Sequence, residues 1–400
     1  MKITRHRADV AIVGSGIVGG SAALALCRSG LSVMLLERDY YGSHSSGVNF
    51  GGVRCLGRPL TQLPLASRAQ EIWARLPELI GTDGGYIRSG HLNLARNEVE
   101  MAAIESYRDR TRGAGIRLHL LDKEALRVRF PWLGPRVIAA SLCSEDGHAN
   151  PRLVSQAFAR AAAAAGADVR ERTRIDDMIH DGHEFVLSSS DTGVEVRARF
   201  LLNCAGAWGL TVANRFGEAV PMISGHPLMA ITEPLPAFIN STIGAEGAGI
   251  YARQTLQGHC VVGRASNSGA GVDENMAPNE RVSLMMKRTI ELVPSLRRVK
   301  VIRTWSGTEG YLPDGEPVIG MSATTPGLIH GFGLGGAGFL LGPAVGAVLA
   351  ELVTHGESTT PIDTFAISRF ARPKPEVPVD LEDSLHFLAA QGASAIRPAI

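Results

Sequence analysis

The sequence predicts an α/β fold, and three observations support this prediction. The chain has 400 residues, 45% of them apolar, which is enough to bury a large core in two or three domains or in two interleaved ones. A β-branched run, a glycine-rich turn and an Ala/Leu-rich segment follow one another near the N-terminus. Glycine accounts for 46 of the 400 residues, a larger share than the average of roughly 7%, and no collagen-like period explains this excess. Many glycines are therefore expected where backbone approaches something closely.

Charge and cysteine usage exclude several classes of protein. The chain has 40 Lys+Arg and 39 Asp+Glu, a balance that disfavours a nucleic-acid partner held by a strong field. The five cysteines are scattered, without a Cys-x-x-Cys pair or a His/Cys cluster at metal spacing, so we predict no disulfide framework and no metal. A cytoplasmic location fits this pattern. No signal peptide is recognisable, and no uninterrupted apolar stretch of about 18 residues predicts a transmembrane segment.

A β-α-β unit is predicted over the first forty residues, with strands at 8–13 and 31–36 and a helix at 21–28. Its turn contains glycines for a tight bend, for close approach of a pyrophosphate and for packing of helix on sheet. The acid that ends the second strand, 23 residues after the first glycine, can accept hydrogen bonds from a ribose. The predicted dinucleotide-binding residues here are Gly14, Ser15, Gly16, Ile17, Val18, Gly19, Glu37 and Arg38.

This motif alone leaves two alternatives open. A glycine-rich turn between strand and helix also occurs for packing only, although the strand, helix, second strand and terminal acid in register favour a bound dinucleotide. The motif does not distinguish FAD from NAD.

Segments farther along the chain resemble a known family. They are Tyr41-Gly42-Ser43-His44-Ser45-Ser46-Gly47, Gly51-Gly52-Val53-Arg54, Phe200-Leu201-Leu202-Asn203-Cys204-Ala205-Gly206-Ala207-Trp208, Trp305-Ser306-Gly307, Asp314-Gly315-Glu316-Pro317-Val318-Ile319-Gly320 and Gly336-Ala337-Gly338-Phe339-Leu340-Leu341-Gly342-Pro343. In this order they resemble the FAD-dependent amino acid oxidase (DAO) superfamily, which includes the D-amino acid, glycine and sarcosine oxidases. Within it, the chain looks most similar to flavoprotein B or β subunits of opine (octopine or nopaline) oxidases and of heteromeric sarcosine oxidases.

The resemblance implies an α/β (α+β overall) architecture in which a Rossmann-like FAD-binding domain is interleaved with an antiparallel-sheet substrate domain. The FAD domain is expected at 1–85, 145–220 and 315–370, the substrate domain at 86–144 and 221–314, and a C-terminal extension at 371–400. Local patterns fit this division, because they predict elements in both parts: a helix at 153–165, a strand from 166, a hairpin at 184–200, and strands at 229–233 and 260–263.

The same resemblance implies which further residues bind the cofactor. They are Ser43, His44, Ser45, Ser46, Gly51, Gly52, Val53, Val169, Ala205, Gly206, Trp208, Gly307, Gly336, Ala337, Gly338, Phe339 and Leu340. Gly307 or a neighbour occupies the position where monomeric sarcosine oxidases carry a flavin-linking cysteine, so non-covalent FAD is expected, with His44 as the remaining residue that could form a link.

The last glycine cluster also has a physical interpretation. Gly338 precedes an apolar helix predicted at about 343–354, whose N-terminal N–H groups would stabilise negative charge on a reduced flavin. The alternative is a glycine hinge without a ligand.

The family chemistry, as the resemblance implies it, is transfer of a hydride from the amine-bearing carbon to flavin N5, which leaves an imine for hydrolysis. Candidate anchors for a substrate carboxylate are Arg54, Arg253 and Arg303, since guanidinium grips carboxylate with two hydrogen bonds. Tyr251 and Arg253 share one face of a predicted strand, or form a surface arginine beside a core tyrosine. Arg303 fits an exposed strand position better. His226 is a further site candidate or a buried core histidine.

Two departures from the family pattern bear on substrate and acceptor. Glycine oxidases carry a carboxylate-binding arginine where this chain has Glu309, which would suit a cationic substrate tail, as in arginine-derived opines, or would face solvent or an arginine. Sarcosine oxidases place a lysine that promotes oxygen reduction where this chain has Leu340. We therefore predict a dehydrogenase that passes electrons to a second subunit carrying further redox centres.

The C-terminal tail and rival functions complete the predictions. A proline-rich linker at 372–378 precedes a short amphipathic pattern at 381–391, either a subunit contact or a disordered or self-packed tail. The rival functions are a stand-alone glycine or D-amino acid oxidase and a subunit whose flavin is structural.

Overall fold

The computed structural model describes residues 3–247, 249–264 and 279–371. The predicted linker and amphipathic pattern of the C-terminal extension lie outside the described residues. The described ranges contain two eight-stranded sheets and two short two-stranded sheets, with helices between the strands. The predicted α/β fold is confirmed.

The helices and strands are numbered in chain order. The strands are β1 (Thr4–Val13), β2 (Val33–Leu36), β3 (Gly52–Val53), β4 (His91–Ala95), β5 (His119–Leu121), β6 (Ala139–Cys143), β7 (Gly147–His148), β8 (Asp168–Arg170), β9 (Asp177–His180), β10 (Phe185–Ser189), β11 (Val194–Asn203), β12 (Ile223–Gly225), β13 (Leu228–Pro234), β14 (Thr242–Ala245), β15 (Ile250–Gln254), β16 (His259–Arg264), β17 (Val301–Ser306), β18 (Glu309–Tyr311), β19 (Val318–Met321) and β20 (Leu328–Phe332). The α-helices are α1 (Ile17–Arg28), α2 (Ser45–Val48), α3 (Leu63–Trp73), α4 (Leu76–Ile80), α5 (Glu98–Arg110), α6 (Lys123–Arg129), α7 (Pro151–Ala164), α8 (Gly209–Arg215), α9 (Asn279–Leu292) and α10 (Gly338–His355). Short 3-10 helices cover Leu60–Gln62, Gly206–Trp208, Pro294–Arg298, Asp363–Phe365 and Ile367–Phe370.

The first large sheet has the order β19-β20-β11-β1-β2-β8, and the β9–β10 hairpin joins it at β11. The pairs around β1 are parallel, so the carboxyl ends of β1, β2 and β11 meet at one edge. The central strands are buried on both faces, which explains their continuous apolar sequence. The hairpin predicted at 184–200 is confirmed by the antiparallel pairing of β10 with β11.

Helices α1, α3, α7 and α10 pack together against this sheet. Small residues permit the close crossings: a Cβ on Gly20 would lie 3.2 Å from the Ala159 nitrogen in α7, and one on Gly346 would lie 2.6 Å from the Ala22 nitrogen in α1. One described helix, α10, is long and apolar enough to cross a membrane by length and composition, but it is 72% buried here. Its apolar surface is therefore used as the core of the fold.

The second large sheet has the order β17-β13-β16-β15-β14-β4-β6-β5. Its pairs are antiparallel except β14 with β4, which run parallel. The expected antiparallel sheet thus contains one parallel pair, which requires a crossover connection: the chain leaves the sheet after β6 and returns to it at β13. Since the strands of the two sheets alternate along the chain, we propose the interleaved domain limits given above.

Two predicted helix starts are wrong. Helix α1 begins at Ile17, not at residue 21, and helix α10 begins at Gly338, not near Pro343. Packing extends both helices: Gly342 lies directly against Ile17, so that any added Cβ would overlap that side chain. Pro343 is accommodated inside α10 because the buried residues around it hold the first turns in place.

Candidate active site

The turn between β1 and α1 can be built only with glycine at two positions. Gly14 has φ +100°, and a Cβ there would overlap the Cys204 carbonyl oxygen. A Cβ on Gly19 would overlap the Gly14 carbonyl oxygen. The first glycine therefore fixes the bend, and the second brings the helix against it, as the motif predicts.

The N-terminus of α1 opens into a large cavity. Gly16 is the N-cap, it makes no side-chain cap, and the first turn contains no acid. A Cβ on Gly16 would lie 2.8 Å from Ser46 Oγ, which accepts a hydrogen bond of 3.0 Å from the Ile17 N–H. Gly16, Ile17, Val18 and Ser46 line the cavity. Backbone donors at a helix N-terminus with no competing acid suit a phosphate group.

Glu37 is held at the end of β2, beside this turn. It is only 6% exposed, and its Oε2 accepts the Ser15 N–H at 2.9 Å while its Oε1 accepts the Asp39 N–H at 3.0 Å. Val169 lies on the adjacent strand β8, opposite Leu35. The acid is thus fixed at the carboxyl edge of the sheet, where a ribose is expected.

A cluster of side chains stacks next to Glu37. The Arg38 guanidinium carbon lies 3.8 Å from the ring centroid of Trp208, and the His44 ring lies 4.9 Å from the same ring. His44 Nε2 is 2.7 Å from Asp39 Oδ2. The ligand atoms of Glu37, Asp39 and His44 lie within 4.8 Å of one another, but both Glu37 oxygens already accept backbone N–H groups. These two backbone hydrogen bonds fix the position of the Glu37 carboxylate.

Two buried polar atoms at this end, Ser15 Oγ and Trp208 Nε1, have no hydrogen-bond partner among the described residues. Buried polar groups are rarely left unpaired, so these atoms point toward a ligand. Ala205 and Gly206 continue the edge from β11. The glycine-rich turn between β1 and α1, called the glycine cradle below, lies at the same end of the structure. Together with these residues it fits a dinucleotide.

The cavity has a volume of about 630 Å³ and runs from α1 to the second sheet. The start of α10 forms one wall, through Gly335, Gly336, Ala337, Gly338 and Phe339. Leu340 is fully buried behind this wall, and its carbonyl accepts a bond of 2.9 Å from Trp73 Nε1. The predicted glycine loop therefore faces the cavity, whereas the Leu340 side chain belongs to the core.

The loops that resemble the family motifs contact α2 and its neighbouring segments. The Ser45 hydroxyl donates to the Thr308 carbonyl, and Trp305 Nε1 donates to the Val48 carbonyl at 2.6 Å. A Cβ on Gly307 would lie 2.8 Å from Val48 Cγ2, and one on Gly51, at φ +85°, would overlap the Ala149 carbonyl oxygen. Of the remaining predicted residues, Gly52 and Val53 lie on β3, and Ser43 lies in the turn before α2.

Two arginines from the loop after β3 enter the cavity. Arg54 Nη1 donates to the Leu56 carbonyl. The guanidinium lies over Gly57, where a Cβ atom would be only 2.7 Å from Nη1. Arg58 is 8% exposed, with Nε donating to the Arg54 carbonyl at 3.2 Å and Nη2 to the Gly336 carbonyl at 3.3 Å. Burial, and then the charge of Arg54, lower the pKa of Arg58.

Asp146 holds this loop from behind. Its carboxylate accepts the Cys55 N–H at 2.7 Å, the Leu56 N–H at 3.0 Å and the Gln70 amide at 3.0 Å, and it is fully buried. Burial raises the pKa of this carboxyl, opposed by the two backbone hydrogen bonds. Asp146 therefore positions the segment that carries both arginines.

Tyr251 and Arg253 both lie against Phe50, and Tyr251 also lines the cavity. The Tyr251 ring lines the cavity and packs edge-on against Phe50 with centroids 4.6 Å apart. Arg253 is 8% exposed, and its Nε donates to the Phe50 carbonyl at 2.8 Å. Both residues therefore contact Phe50, but Arg253 does so from behind the cavity wall.

Glu309 contacts both the cavity and the glycine loop. Its Oε2 accepts the Tyr311 hydroxyl at 2.7 Å, and the Gly336 N–H also donates to the carboxylate. Burial raises the pKa of Glu309, opposed by these bonds and by Arg58. It lines the cavity and forms no salt bridge within the described ranges.

The other two candidates lie away from the cavity wall. His226 is 4% exposed, its Nδ1 lies 3.3 Å from Thr308 Oγ1, and its Nε2 has no partner among the described residues. Arg303 is exposed on β17, as its strand position predicts.

Sequence reasoning missed several residues of the substrate side. Arg58, Tyr107, His91, Asn93 and Glu246 all line the cavity. They come from two loops, a helix and a strand, separated by up to 188 residues of sequence, so no local motif joins them. A second arginine four residues after Arg54 was the one signal in the sequence.

A glycine cradle for a dinucleotide, joined to a charged cavity, defines a cofactor-dependent oxidoreductase. The family model described as FAD dependent oxidoreductase (DAO) matches residues 9–352, so the chain belongs to this family. The predicted FAD cofactor and the predicted family are confirmed.

Relatives and solved structures extend over most of the chain. Glycine oxidase from Geobacillus kaustophilus is 29% identical over 377 residues, which cover 91% of this chain and 97% of the relative. The opine oxidase B subunit from Rhizobium meliloti is 25% identical over 381 residues, with 91% and 98% covered. The structure of L-proline dehydrogenase from P. horikoshii superposes with a TM-score of 0.87 at 24% identity, covering 92% of this chain and 99% of that one, and this likeness shows the fold.

Proposed function

We propose that this protein oxidises the carbon–nitrogen bond of an amino acid or secondary amine of the opine type, as the catalytic subunit of a hetero-oligomeric dehydrogenase. The observation that carries the proposal is the cavity that Arg54, Arg58 and Glu309 line together with the glycine loop, where Arg58 donates to the Gly336 carbonyl and its charge acts on Glu309. When bound, FAD accepts the hydride from the carbon next to nitrogen. The residues of the chain bind and orient the substrate for that transfer.

Arg54 is the proposed anchor of the substrate carboxylate. Its guanidinium is held by the Leu56 carbonyl over Gly57, which presents the remaining N–H groups to the cavity. Arg253, by contrast, is proposed to position Phe50, and through it Tyr251, as a rigid wall that limits where the amine can lie.

Glu309 is the proposed partner of a positive group on the substrate. A carboxylate in a cavity that already holds two guanidinium groups gives the site both signs of charge, which suits a zwitterionic ligand. Opines derived from arginine carry such a positive tail. The hydrogen bond from Tyr311 fixes the carboxylate, so the substrate does not have to orient it.

The cofactor is proposed to be non-covalent. Cys204, the cysteine that lines the cavity, is buried and free, and burial raises the pKa of its thiol. A protonated thiol is a poor nucleophile. His44 is engaged by Asp39 and stacks on Trp208, so its ring is oriented by the protein.

A second protein chain and a cytoplasmic location belong to the same proposal. Leu340 stands where a lysine would assist oxygen reduction, and its side chain is fully buried. One relative, the opine oxidase B subunit, is named as part of a larger assembly and is similar over almost its whole length. Both observations support transfer of electrons to a second subunit, not directly to oxygen.

The proposal is tested by mixing the purified FAD-containing protein anaerobically with octopine, nopaline, sarcosine and D-alanine and recording the visible flavin absorption. We expect the opines to bleach the flavin faster than the small amino acids, and we expect slow recovery of colour in air. Faster bleaching by sarcosine or D-alanine with rapid peroxide formation would favour a stand-alone oxidase, a function that the 29% identity to glycine oxidase makes the main rival. A flavin that dithionite bleaches but no amine does would be structural.

A further inference from the structure

A turn at the carboxyl end of β11, residues 204–209, joins the glycine cradle to the cavity and is called the β11 turn below. Cys204 and Gly206 line the cavity, and the Cys204 carbonyl oxygen lies so close to Gly14 that a Cβ there would overlap it. Trp208 Nε1 is buried and has no hydrogen-bond partner among the described residues. Because the turn contacts the cradle and lines the cavity, its conformation affects how FAD is held.

One side chain, that of Asn203, holds both ends of the β11 turn. Asn203 is the last residue of β11 and is fully buried. Its Nδ2 donates to the Gly209 carbonyl at 2.9 Å, and its Oδ1 accepts the Ala205 N–H at 3.4 Å. An amide turned end for end would place an oxygen against the Gly209 carbonyl and an NH2 group against the Ala205 N–H. These two contacts therefore fix the orientation of the amide.

The second hydrogen of Asn203 Nδ2 determines the state of a buried histidine. His330, on β20, is fully buried, and its Nδ1 lies 3.2 Å from Asn203 Nδ2. A ring nitrogen that faces an NH2 group must accept a hydrogen bond, so Nδ1 carries no proton. The proton of the neutral ring is then on Nε2, which donates to Glu218 Oε2 at 2.8 Å. The hydrogen bonds thus select one tautomer of the neutral imidazole.

The carboxylate at the other end of this chain, that of Glu218, is fixed by further donors. The Ser322 hydroxyl donates to its Oε2 at 2.7 Å, and the Ala323 N–H donates to its Oε1 at 2.7 Å. Burial raises the pKa of Glu218, but the hydrogen bonds from His330, Ser322 and Ala323 outweigh burial and lower it. The carboxylate therefore stays ionised at neutral pH and can only accept from the histidine.

Other charged side chains on the neighbouring elements have partners of their own. Arg215, at the end of α8, is exposed and ion-pairs with Asp177. Arg369, on the 3-10 helix that packs against β19, ion-pairs with Asp314 at 2.9 Å. On β11 and β19, the residues paired with His330 are uncharged. The carboxylate described above is therefore the charged group that the described part of the chain places against this ring.

We propose that Glu218 and His330 position the β11 turn for FAD through Asn203, and that they do so only while His330 is neutral. A proton added at His330 Nδ1 would face the NH2 group of Asn203, so the amide would have to rotate and release both ends of the turn. Binding of FAD thereby depends on pH, through three positioning residues that do not line the cavity. This inference concerns the cofactor and holds for any amine that the protein oxidises.

The pH dependence of FAD affinity gives the direct test. The FAD-containing protein is diluted into buffers between about pH 8 and about pH 5, the range in which histidine changes charge, and the fluorescence of released FAD gives Kd. The FAD-bound form holds one proton fewer than the released form, so affinity should fall as pH falls. We expect Kd to rise about ten-fold on acidification, the factor that one lost hydrogen bond supplies. A constant Kd would overturn the proposal.

Substitutions assign this pH dependence to the chain of three residues. His330→Gln cannot take up a proton, so we expect its ratio of acid to alkaline Kd to be close to one. Asn203→Asp replaces the NH2 group by an oxygen, which accepts from a protonated Nδ1. This variant should bind FAD more weakly at every pH, but its ratio should be one or lower. A merely structural role would weaken binding and leave the wild-type ratio, and that result in either variant would refute the proposal.

His259→Gln is the matched control. His259 is a half-buried histidine of β16 whose Nδ1 lies 2.8 Å from the Thr232 carbonyl oxygen, in the other large sheet. We expect this variant to keep the wild-type ratio of Kd values. A ratio of one in this control would assign the pH dependence to another group and would contradict the role of His330.

A measurement on the wild type covers the case in which a variant does not fold. Nitrogen NMR of the histidine-labelled, FAD-containing protein reports which ring nitrogen carries the proton, with the signals assigned through the backbone. We expect His330 to be neutral at neutral pH with its proton on Nε2. A ring protonated on Nδ1, or on both nitrogens, would overturn the proposal.

Discussion

The cofactor cradle and the substrate cavity are adjacent in space but are built in opposite ways. The cradle comes from one continuous β-α-β segment, in which Gly14, Gly19 and Glu37 are within 23 residues of one another. The cavity joins Arg54 to Glu309, which are 255 residues apart, across the two large sheets. The cradle depends on local backbone sterics, whereas the cavity depends on tertiary packing. The two regions should therefore fail differently when they are altered.

The largest effect is expected from Gly19→Ala. The added Cβ would overlap the Gly14 carbonyl oxygen, so the helix must move away from the turn and the phosphate donors must move with it. We expect a folded protein that is purified without FAD, measured by visible absorption and circular dichroism.

Gly30→Ala is the matched control for this prediction. Gly30 follows the same helix and has φ +82°, and a Cβ there meets nothing within 4 Å, so this variant tests an added methyl group without a steric overlap. We expect this variant to keep its FAD and to lose about 1 kcal/mol of unfolding free energy, the cost of a left-handed alanine. Retention of full FAD content by Gly19→Ala would show that the cradle is not the cofactor site.

Arg54→Met is expected to have the next largest effect, on the cavity alone. Loss of two charge-assisted hydrogen bonds to the substrate carboxylate should lower kcat/KM for flavin reduction about 100-fold. FAD content should remain that of the wild type, because the cradle is untouched. Stopped-flow reduction under anaerobic conditions measures the change, and a variant as fast as the wild type would contradict the role of Arg54.

Glu309→Gln should change the pH profile. Burial raises the pKa of Glu309, so the carboxylate is lost as pH falls through that raised value, and binding of a cationic substrate group should weaken on the acid side. In the glutamine variant we expect kcat/KM to be about ten-fold lower at neutral pH and to lack this acid limb. An identical acid limb in the variant would assign it to another group.

Asp146→Ala tests whether the substrate cavity depends on tertiary packing, through its effect on the free energy of unfolding. Removing the buried acceptor of the Cys55 and Leu56 N–H groups should cost about 2 kcal/mol of unfolding free energy and raise KM, since the loop carries both arginines. Asp83, an exposed aspartate that accepts the Gly85 N–H at 2.9 Å, provides the control, with less than about 0.5 kcal/mol expected for Asp83→Ala. Urea denaturation of the FAD-containing proteins measures both. Equal costs would mean that Asp146 does not support the loop.

The same contrast explains how much could be predicted from sequence. The α/β fold, the hairpin at 184–200, the cradle and FAD were predictable, because glycine requirements and strand patterns are local. The start of α10 was not, because Gly342 packs on Ile17, more than 300 residues away in sequence. The different surroundings of Tyr251 and Arg253 also depend on tertiary contacts: alternation places both on one face, where both contact Phe50, but Tyr251 lines the cavity.

The most direct measurement follows the visible flavin absorption of the wild type and of Arg54→Met, mixed side by side with the same amine under anaerobic conditions. If the cavity is where the amine is held for oxidation, the wild type loses its yellow colour within the mixing experiment, while the variant, carrying the same amount of FAD, stays yellow. Bleaching at equal rates would show that oxidation does not depend on this cavity.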